Sequence, residues 1–353
     1  MTNIMIMAGG TGGHVFPALA VADVLRQRGV NVAWMGTARG IEARLVPEAG
    51  YTLNLISVKG LRGNGLIGWL TAPFKLVTAV LEAMAALKSH QSDIVLGLGG
   101  FASGPGGVAA WLLRKPLIVH EQNAIPGLTN RVLAKLARRV LQGFPNSFTQ
   151  AEWVGNPVRA SIAALSEPTE KANKAQTKLL ILGGSLGAKS LNRLLPEALY
   201  IVGEQHDFLV KHQCGQKHFE ACQQTYKQAG VEAEVDPFIA DMATAYEWAD
   251  IVVCRAGALT IAELSAVGVA SVLVPYPFAV DDHQTHNAAA LVDVGAAILM
   301  PEKKLTAKAL AEQLVLLTAE SETLFAMAKA ARTQAKPEAA ETIADVCMTV
   351  NHE

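Results

Sequence analysis

Short unbroken apolar runs alternate along this 353-residue chain with longer segments whose apolar positions recur every third or fourth residue. Apolar runs of about four to eight residues describe strands buried on both faces. The 3.6-residue periodicity between them describes helices laid over those strands, so the pattern predicts parallel sheets flanked by helices. In the first half the expected strands cover residues 4–8, 32–36, 52–56, 94–98 and 117–120, with a short one near Val140. The pattern restarts at 178–182 and continues at 208–214, 232–237, 251–254, 270–274 and 297–300. Each half opens with a strand, a glycine turn and a helix: IMIMAGGTGGHVFPALA from Ile4, with the helix expected from Pro17, and KLLILGGSLGA from Lys178. Two Rossmann-like α/β domains are therefore expected, over residues 1–160 and 161–336. The polar stretch 166–178, with Pro168, reads as the linker, and the segment 337–353 as a helix returning to the first domain.

Composition narrows the class. Hydrophobic residues make up 51% of the chain and charged ones 17%, a well-buried globular protein; the formal net charge of -1 argues against nucleic acid or any polyanion held by bulk charge. Cys214, Cys222, Cys254 and Cys347 form no C-x-x-C pair and read as reduced, buried thiols. Met1-Thr2-Asn3 runs into the first strand without a basic stretch, so no secretory leader is expected. The uncharged run 94–113 is interrupted by six glycines and Pro105, and 264–280 by Pro275 and Pro277, so neither reads as a membrane span. One segment departs from the sheet pattern. From Lys59 to Lys88, the charges Lys59, Arg62, Lys75, Lys88 and Glu82 sum to +3, among apolar Leu66, Ile67, Trp69, Leu70 and Phe74. Such a segment suits an anionic membrane surface, and suits equally an amphipathic helix packed on the sheet.

The first glycine turn is an anion site by construction: backbone N–H groups, a helix N-terminus and absent side chains let phosphate approach closely. His14 sits on it, the one side chain there able to take a proton near neutral pH. The dinucleotide pattern fails, because Val15 stands where glycine or alanine is needed and no carboxylate follows the second strand; no Lys-Ser/Thr completes a Walker loop either. Residues 97–107, GLGGFASGPGG, form a second glycine-rich surface able to approach phosphate. His120-Glu121-Gln122-Asn123 follows a strand at its carboxyl edge. In IVVCRAGALTIAE, from Ile251, Glu263 is placed for ribose hydroxyls, or for a cap on Thr260, which is expected to open the helix. The segment 275–288, PYPFAVDDHQTHNA, reads as a polar loop; without a third well-spaced histidine it is not expected to hold a metal.

The stretches GGTGGH, GLGGFASGPGG, HEQN, GNPVR, GGSLGA, CRAGALTIAE and DDHQTHNA, in this order, resemble the N-acetylglucosaminyltransferases of peptidoglycan synthesis. These are two-domain GT-B glycosyltransferases, and the resemblance covers nearly the whole chain. It implies parallel sheets facing a central cleft and transfer of N-acetylglucosamine, with inversion, from UDP-N-acetylglucosamine to the C4 hydroxyl of a lipid-linked N-acetylmuramoyl-pentapeptide diphosphate. It further implies a peripheral place on the cytoplasmic face of the inner membrane, other cell-wall synthesis proteins as partners, and no cofactor. Thr11, Gly12 and Gly13 would meet the donor near its diphosphate, and Asn123 and Gln284 the sugar hydroxyls. Arg159 and Ser185 would sit by uridine and diphosphate, and the backbone of Ile239 would read uracil. Ala258, Leu259, Thr260, Ile261, Ala262 and Glu263 would cradle phosphate and ribose, with Glu263 on the ribose hydroxyls. Leu186 stands where the family commonly has glutamine, which removes a polar contact there. Fixed N–H groups, helix dipoles, Arg159 and Ser185 can take the diphosphate charge without a divalent metal. His14 is the candidate base for the C4 hydroxyl, with Glu121 and His120 as further candidates. A UDP-sugar epimerase of the same fold and a non-enzymic, membrane-associated nucleotide-sugar sensor are the rival readings.

Overall fold

The computed structural model describes residues 2–58, 66–169, 176–184, 186–203 and 206–350, with the side chains of 66–72 and 321 left out. The chain forms two compact units. Residues up to Arg159, together with those from Lys336 onward, make the first, and Ala160–Ala335 the second.

The first unit runs β1 (Asn3–Met7), α1 (Gly12–Gln27), β2 (Asn31–Gly36), α2 (Glu42–Glu48), β3 (Thr52–Leu55), α3 (Leu66–Ser89), β4 (Ile94–Gly97), α4 (Ser103–Leu112), β5 (Leu117–Glu121), α5 (Leu128–Leu133), β6 (Arg139–Gln142) and β7 (Glu152–Trp153). Its strands pair in parallel in the order β3-β2-β1-β4-β5-β6-β7. The apolar runs sit where parallel pairing requires them: Ile4, Met5, Ile6, Met7, Ile94, Val95 and Leu96 are wholly buried under helices on both faces. Trp34 is buried in this core and donates its indole N–H to the Ala8 carbonyl (2.8 Å). The edge strand β7 escaped sequence reading because its two residues are exposed and form no apolar run.

The second unit holds α6 (Ala160–Ala163), β8 (Thr177–Leu182), α7 (Lys189–Val202), β9 (Phe208–Gln213), α8 (Phe219–Ala229), β10 (Glu234–Asp236), α9 (Met242–Trp248), β11 (Ile251–Cys254), α10 (Ala258–Val267), β12 (Ala270–Leu273), α11 (His283–Val292), β13 (Ala297–Leu299), α12 (Ala307–Thr318) and α13 (Ser321–Arg332). Its parallel sheet has the order β10-β9-β8-β11-β12-β13. The last helix, α14 (Ala339–Thr349), lies in the first unit, where Ile343, Ala344 and Cys347 join the core beside α1 and Asp345 pairs with Arg28.

Three local expectations need correction. Helix α1 begins at Gly12 rather than Pro17, so His14 stands on its first turn; Pro17 is tolerated near this N-terminus at the cost of one backbone hydrogen bond. The chain changes unit at Arg159/Ala160, before the polar stretch expected as linker, and Pro168 of that stretch lies against Gly268 in the second unit. The segment around His283 is helical, not a loop, because α11 starts there after left-handed Asp281 and Asp282. Among the described residues no helix is long and apolar enough to cross a membrane.

A buried polar group braces the opening glycine turn of each unit. In the first, Glu42 is wholly buried and accepts from Gly10 N (2.8 Å), Thr37 N (3.0 Å) and Thr37 Oγ1 (2.7 Å). Its carboxyl end fills the space beside Gly9, Gly36 and Gly40, where any Cβ would strike it. In the second, buried His212 pairs through Nδ1 with the Tyr226 hydroxyl (2.9 Å) and through Nε2 with Asn192 Oδ1 (3.1 Å). Asn192 in turn donates to the Cys214 carbonyl (2.9 Å), which occupies the space a Cβ on Gly187 of the turn would need.

Glu42→Ala would strand those three donors in a dry site and is expected to lower unfolding free energy by about 3 kcal/mol, read by urea denaturation. Burial pushes the His212 imidazole down from 6.5 to about 3. The unfolded chain therefore binds its proton first: this contribution is fully present above pH 6.5 and is lost as pH falls toward 3. His212→Gln is expected to flatten the fall of stability between pH 6.5 and 4, whatever its offset at pH 8; an unchanged slope would mean that His212 is not held neutral.

Candidate active site

Both sheets reverse their winding at one place, between β1 and β4 in the first unit and between β8 and β11 in the second. Open parallel sheets bind ligands beyond the carboxyl ends of the strands at such a switch point. The chemistry-bearing turns follow these very strands.

In the first unit Thr11 is the N-cap residue of α1, Gly12 and Gly13 form its first turn, and His14 follows, half-buried. His14 Nδ1 lies 3.2 Å from the Gly9 carbonyl and 3.4 Å from Thr11 Oγ1. A carbonyl only accepts, so this contact puts the proton of a neutral imidazole on Nδ1 and the lone pair on Nε2. The second glycine run closes around the ring. Gly99 and Gly100 have φ of 98° and 88°, and a Cβ on Gly99 would lie 2.8 Å from His14 Cδ2. One on Gly100 would strike the Gly9 backbone, while Gly106 and Gly107 press against Met7 and Leu133. Gly99, Gly100, Gly106 and Gly107 of the run 97–107 thus serve close internal packing.

The HEQN stretch ends β5. Glu121 is 2% exposed and accepts from Asn123 N (2.9 Å), Asn123 Nδ2 (3.2 Å), Gly127 N (3.1 Å) and Asn130 Nδ2 (2.9 Å). Four donors use the accepting capacity of both oxygens, which corrects the expectation of Glu121 as a base: its carboxylate orients half-buried Asn123. His120 is also removed from that role. It is wholly buried, its Nε2–H donates to the Gly155 carbonyl (2.9 Å), and burial pushes it down to about 4. Arg159, half-buried, places its guanidinium over the Phe16 ring of α1, 5.6 Å from the centroid.

In the second unit Gly257 is the N-cap of α10, and Ala258, Leu259, Thr260, Ile261, Ala262 and Glu263 make its opening turns. Thr260 lies inside the helix and gives no side-chain cap, so the capping alternative for Glu263 falls. Glu263, 5% exposed, accepts instead from the hydroxyl of buried Tyr246 on α9 (3.0 Å). Ile239 N donates to Gln213 Oε1 (3.1 Å), committing that N–H internally. Gln284 sits on α11, with Oε1 accepting from Tyr276 N (2.9 Å), which turns its NH2 donors the other way. Leu186 is 82% exposed, and Ser185 lies outside the described residues.

Sequence reading missed Glu42, Tyr246, Gln213 and the use of Arg255. Arg255 donates to the Val274 and Pro275 carbonyls (3.1 and 3.2 Å) and to Ser190 Oγ (3.1 Å), and pairs with Glu302, tying together the ends of β11, β12 and α7. None of the four has a local pattern, since each bonds to at least one residue far along the chain. The one trace of Glu42 was the glycine beside it at positions 9, 36 and 40.

Known proteins match this arrangement over its whole length. Residues 4–142 match the glycosyltransferase family 28 N-terminal domain and residues 178–343 the glycosyltransferase family 28 C-terminal domain. The chain is 54% identical over 353 residues to the UDP-N-acetylglucosamine--N-acetylmuramyl-(pentapeptide) pyrophosphoryl-undecaprenol N-acetylglucosamine transferase of Nitrosococcus oceani, covering 99% of this chain and 98% of that protein. It is 54% identical over 358 residues to the protein of the same name from Chromohalobacter salexigens, covering 100% and 98%. The crystal structure of Acinetobacter baumannii MurG matches with a TM-score of 0.87 at 44% identity, over 99% of this chain and 100% of that one. With two parallel-sheet units whose sequences are, in order, the N- and C-terminal domains of one enzyme family, the chain belongs to glycosyltransferase family 28 and has the GT-B architecture.

Proposed function

We propose that this enzyme moves N-acetylglucosamine from UDP-N-acetylglucosamine to the C4 hydroxyl of an undecaprenyl-diphospho-N-acetylmuramoyl-pentapeptide, inverting the anomeric carbon. The observation that carries the reading is His14, held as the Nδ1–H tautomer in the glycine turn of a chain that matches relatives named for this transfer end to end.

The acceptor oxygen attacks the anomeric carbon on the face opposite the diphosphate. The bond from that carbon to the diphosphate oxygen breaks, its electron pair leaves with UDP, and the hydroxyl proton passes to His14 Nε2. Thr11, Gly12 and Gly13 approach the donor near its diphosphate. The N–H groups opening α10 and the side chains of Arg159 and Ser185 take the charge that develops on the leaving group. Asn123, oriented by Glu121, and the donor side of the Gln284 amide take sugar hydroxyls. Ile239, with its N–H committed to Gln213, offers its carbonyl to the ring N–H of uracil. Glu263 accepts from ribose hydroxyls.

We place the enzyme on the cytoplasmic face of the inner membrane through α3. Ala79, Ala83 and Leu87 of this helix are buried in the core, while Phe74, Val77 and Leu81 form an exposed apolar stripe beside exposed Lys75. A helix apolar on both its buried and its open side suits an interfacial position on anionic lipid. Of the segment from Lys59 to Lys88, residues 59–65 and the side chains of 66–72 lie outside those described.

Transfer of labelled sugar to a short-tailed acceptor, with chelator present, tests the chemistry. His14→Ala is expected to lose about 100-fold or more in kcat while still binding UDP. Full activity in this variant would remove His14 as base, and a folded, UDP-binding wild type that transfers nothing would favour the epimerase or sensor. In vesicle co-sedimentation, Phe74→Glu combined with Leu81→Glu is expected to weaken binding to anionic vesicles about tenfold or more. Undiminished binding would remove α3 as the membrane face.

A further inference from the structure

The Glu263 carboxylate meets its partner from outside every motif of the sequence. Tyr246 lies in the last turn of α9, 1% exposed, and its hydroxyl is 3.0 Å from Glu263 Oε2. A phenol so deeply buried needs an acceptor, and a carboxylate is the strongest one a side chain offers.

The surroundings show what this contact controls. The backbone leading into α10 is already held: buried Asn287 donates to the Ala256 carbonyl (3.3 Å), and Arg255 is tied to the ends of β11 and β12. The Glu263 side chain has three rotatable bonds, and the Tyr246 hydroxyl contacts its carboxylate directly. Its neighbours on α10, Ile261 and Leu264, are buried and apolar. The charge it carries is felt inside the fold: the Cys254 thiol at the end of β11 is pushed up to about 12, by burial first and by Glu263 next.

We infer that Tyr246 is a positioning residue for nucleotide recognition, its hydroxyl aiming the Glu263 carboxylate so that both vicinal hydroxyls of the donor's ribose can donate to it. The inference rests on the proposed ribose role of Glu263. A tyrosine hydroxyl suits the task because it donates one hydrogen bond from a rigid ring whose position α9 sets. It takes part of one oxygen's accepting capacity and adds no positive charge to compete with a hydroxyl. A purely structural pair, tying α9 to α10, would affect stability alone.

The two roles separate when calorimetric binding of UDP is compared with that of 2′-deoxy-UDP and 3′-deoxy-UDP, for wild type and Tyr246→Phe. Phenylalanine keeps the buried ring, and the ratio of ribo to deoxy affinity within each protein is independent of how much of it is active. The wild type is expected to bind UDP about tenfold more tightly than either deoxy analogue, and Tyr246→Phe to reduce that preference to about twofold. In turnover, Tyr246→Phe is expected to raise the KM for donor about fivefold with kcat nearly unchanged. If the wild type prefers UDP and Tyr246→Phe prefers it equally, Tyr246 is structural and the inference is overturned, while the ribose role of Glu263 stands. If the wild type itself shows no preference, the ribose role fails, and the inference with it.

Discussion

The first unit depends on a carboxylate wholly closed off from solvent. Glu42 takes the Gly10 N–H from below and with it sets the peptide that follows Gly9, whose carbonyl holds His14 Nδ1. A glycine-rich turn has little conformational preference of its own, so its shape must come from what surrounds it. Here that is a buried anion beneath and a second glycine run across, with Gly99 against the imidazole and Gly100 against Gly9. The tautomer of the candidate base is thereby a property of packing. An imidazole on an unsupported turn would sample both ring nitrogens as acceptor and lose the advantage of a pre-aimed lone pair.

The second unit solves the same problem with neutral groups. His212, Asn192 and Tyr226 form a buried hydrogen-bonded network that ends on the Cys214 carbonyl, against the turn that carries Gly187. Both braces lie behind a glycine turn that leads into a helix, the arrangement proposed to receive phosphate. Glu121 and His120, at the end of β5, are likewise committed inward.

Sequence reading and structure part company where a contact spans many residues. The glycine turns, the parallel strands and the histidine were legible because a strand buried on both faces is an apolar run and a turn without side chains is a run of glycines. Glu121 was misread for the opposite reason. A carboxylate at the carboxyl end of a parallel strand has the right address for catalysis, and only the four donors that converge on it from Asn123, Gly127 and Asn130 show that it is spent on positioning. The glycines at 97–107 likewise have the composition of a phosphate loop, and only the atoms beside them show that Gly99, Gly106 and Gly107 also pack against His14, Met7 and Leu133.

By itself, then, the sequence determined the two α/β halves, their glycine turns, the kinship carried by the ordered motifs, and the presence of one titratable group on the first turn. These are local properties of period, composition and spacing. The tertiary structure alone decided which nitrogen of His14 carries the proton, that Glu42 shapes its turn, that Glu263 answers to Tyr246, and that His120 and Glu121 are structural. Each of these follows from a hydrogen bond whose geometry depends on how the chain folds, or from loss of water around a buried group, and no pattern of period or composition records it.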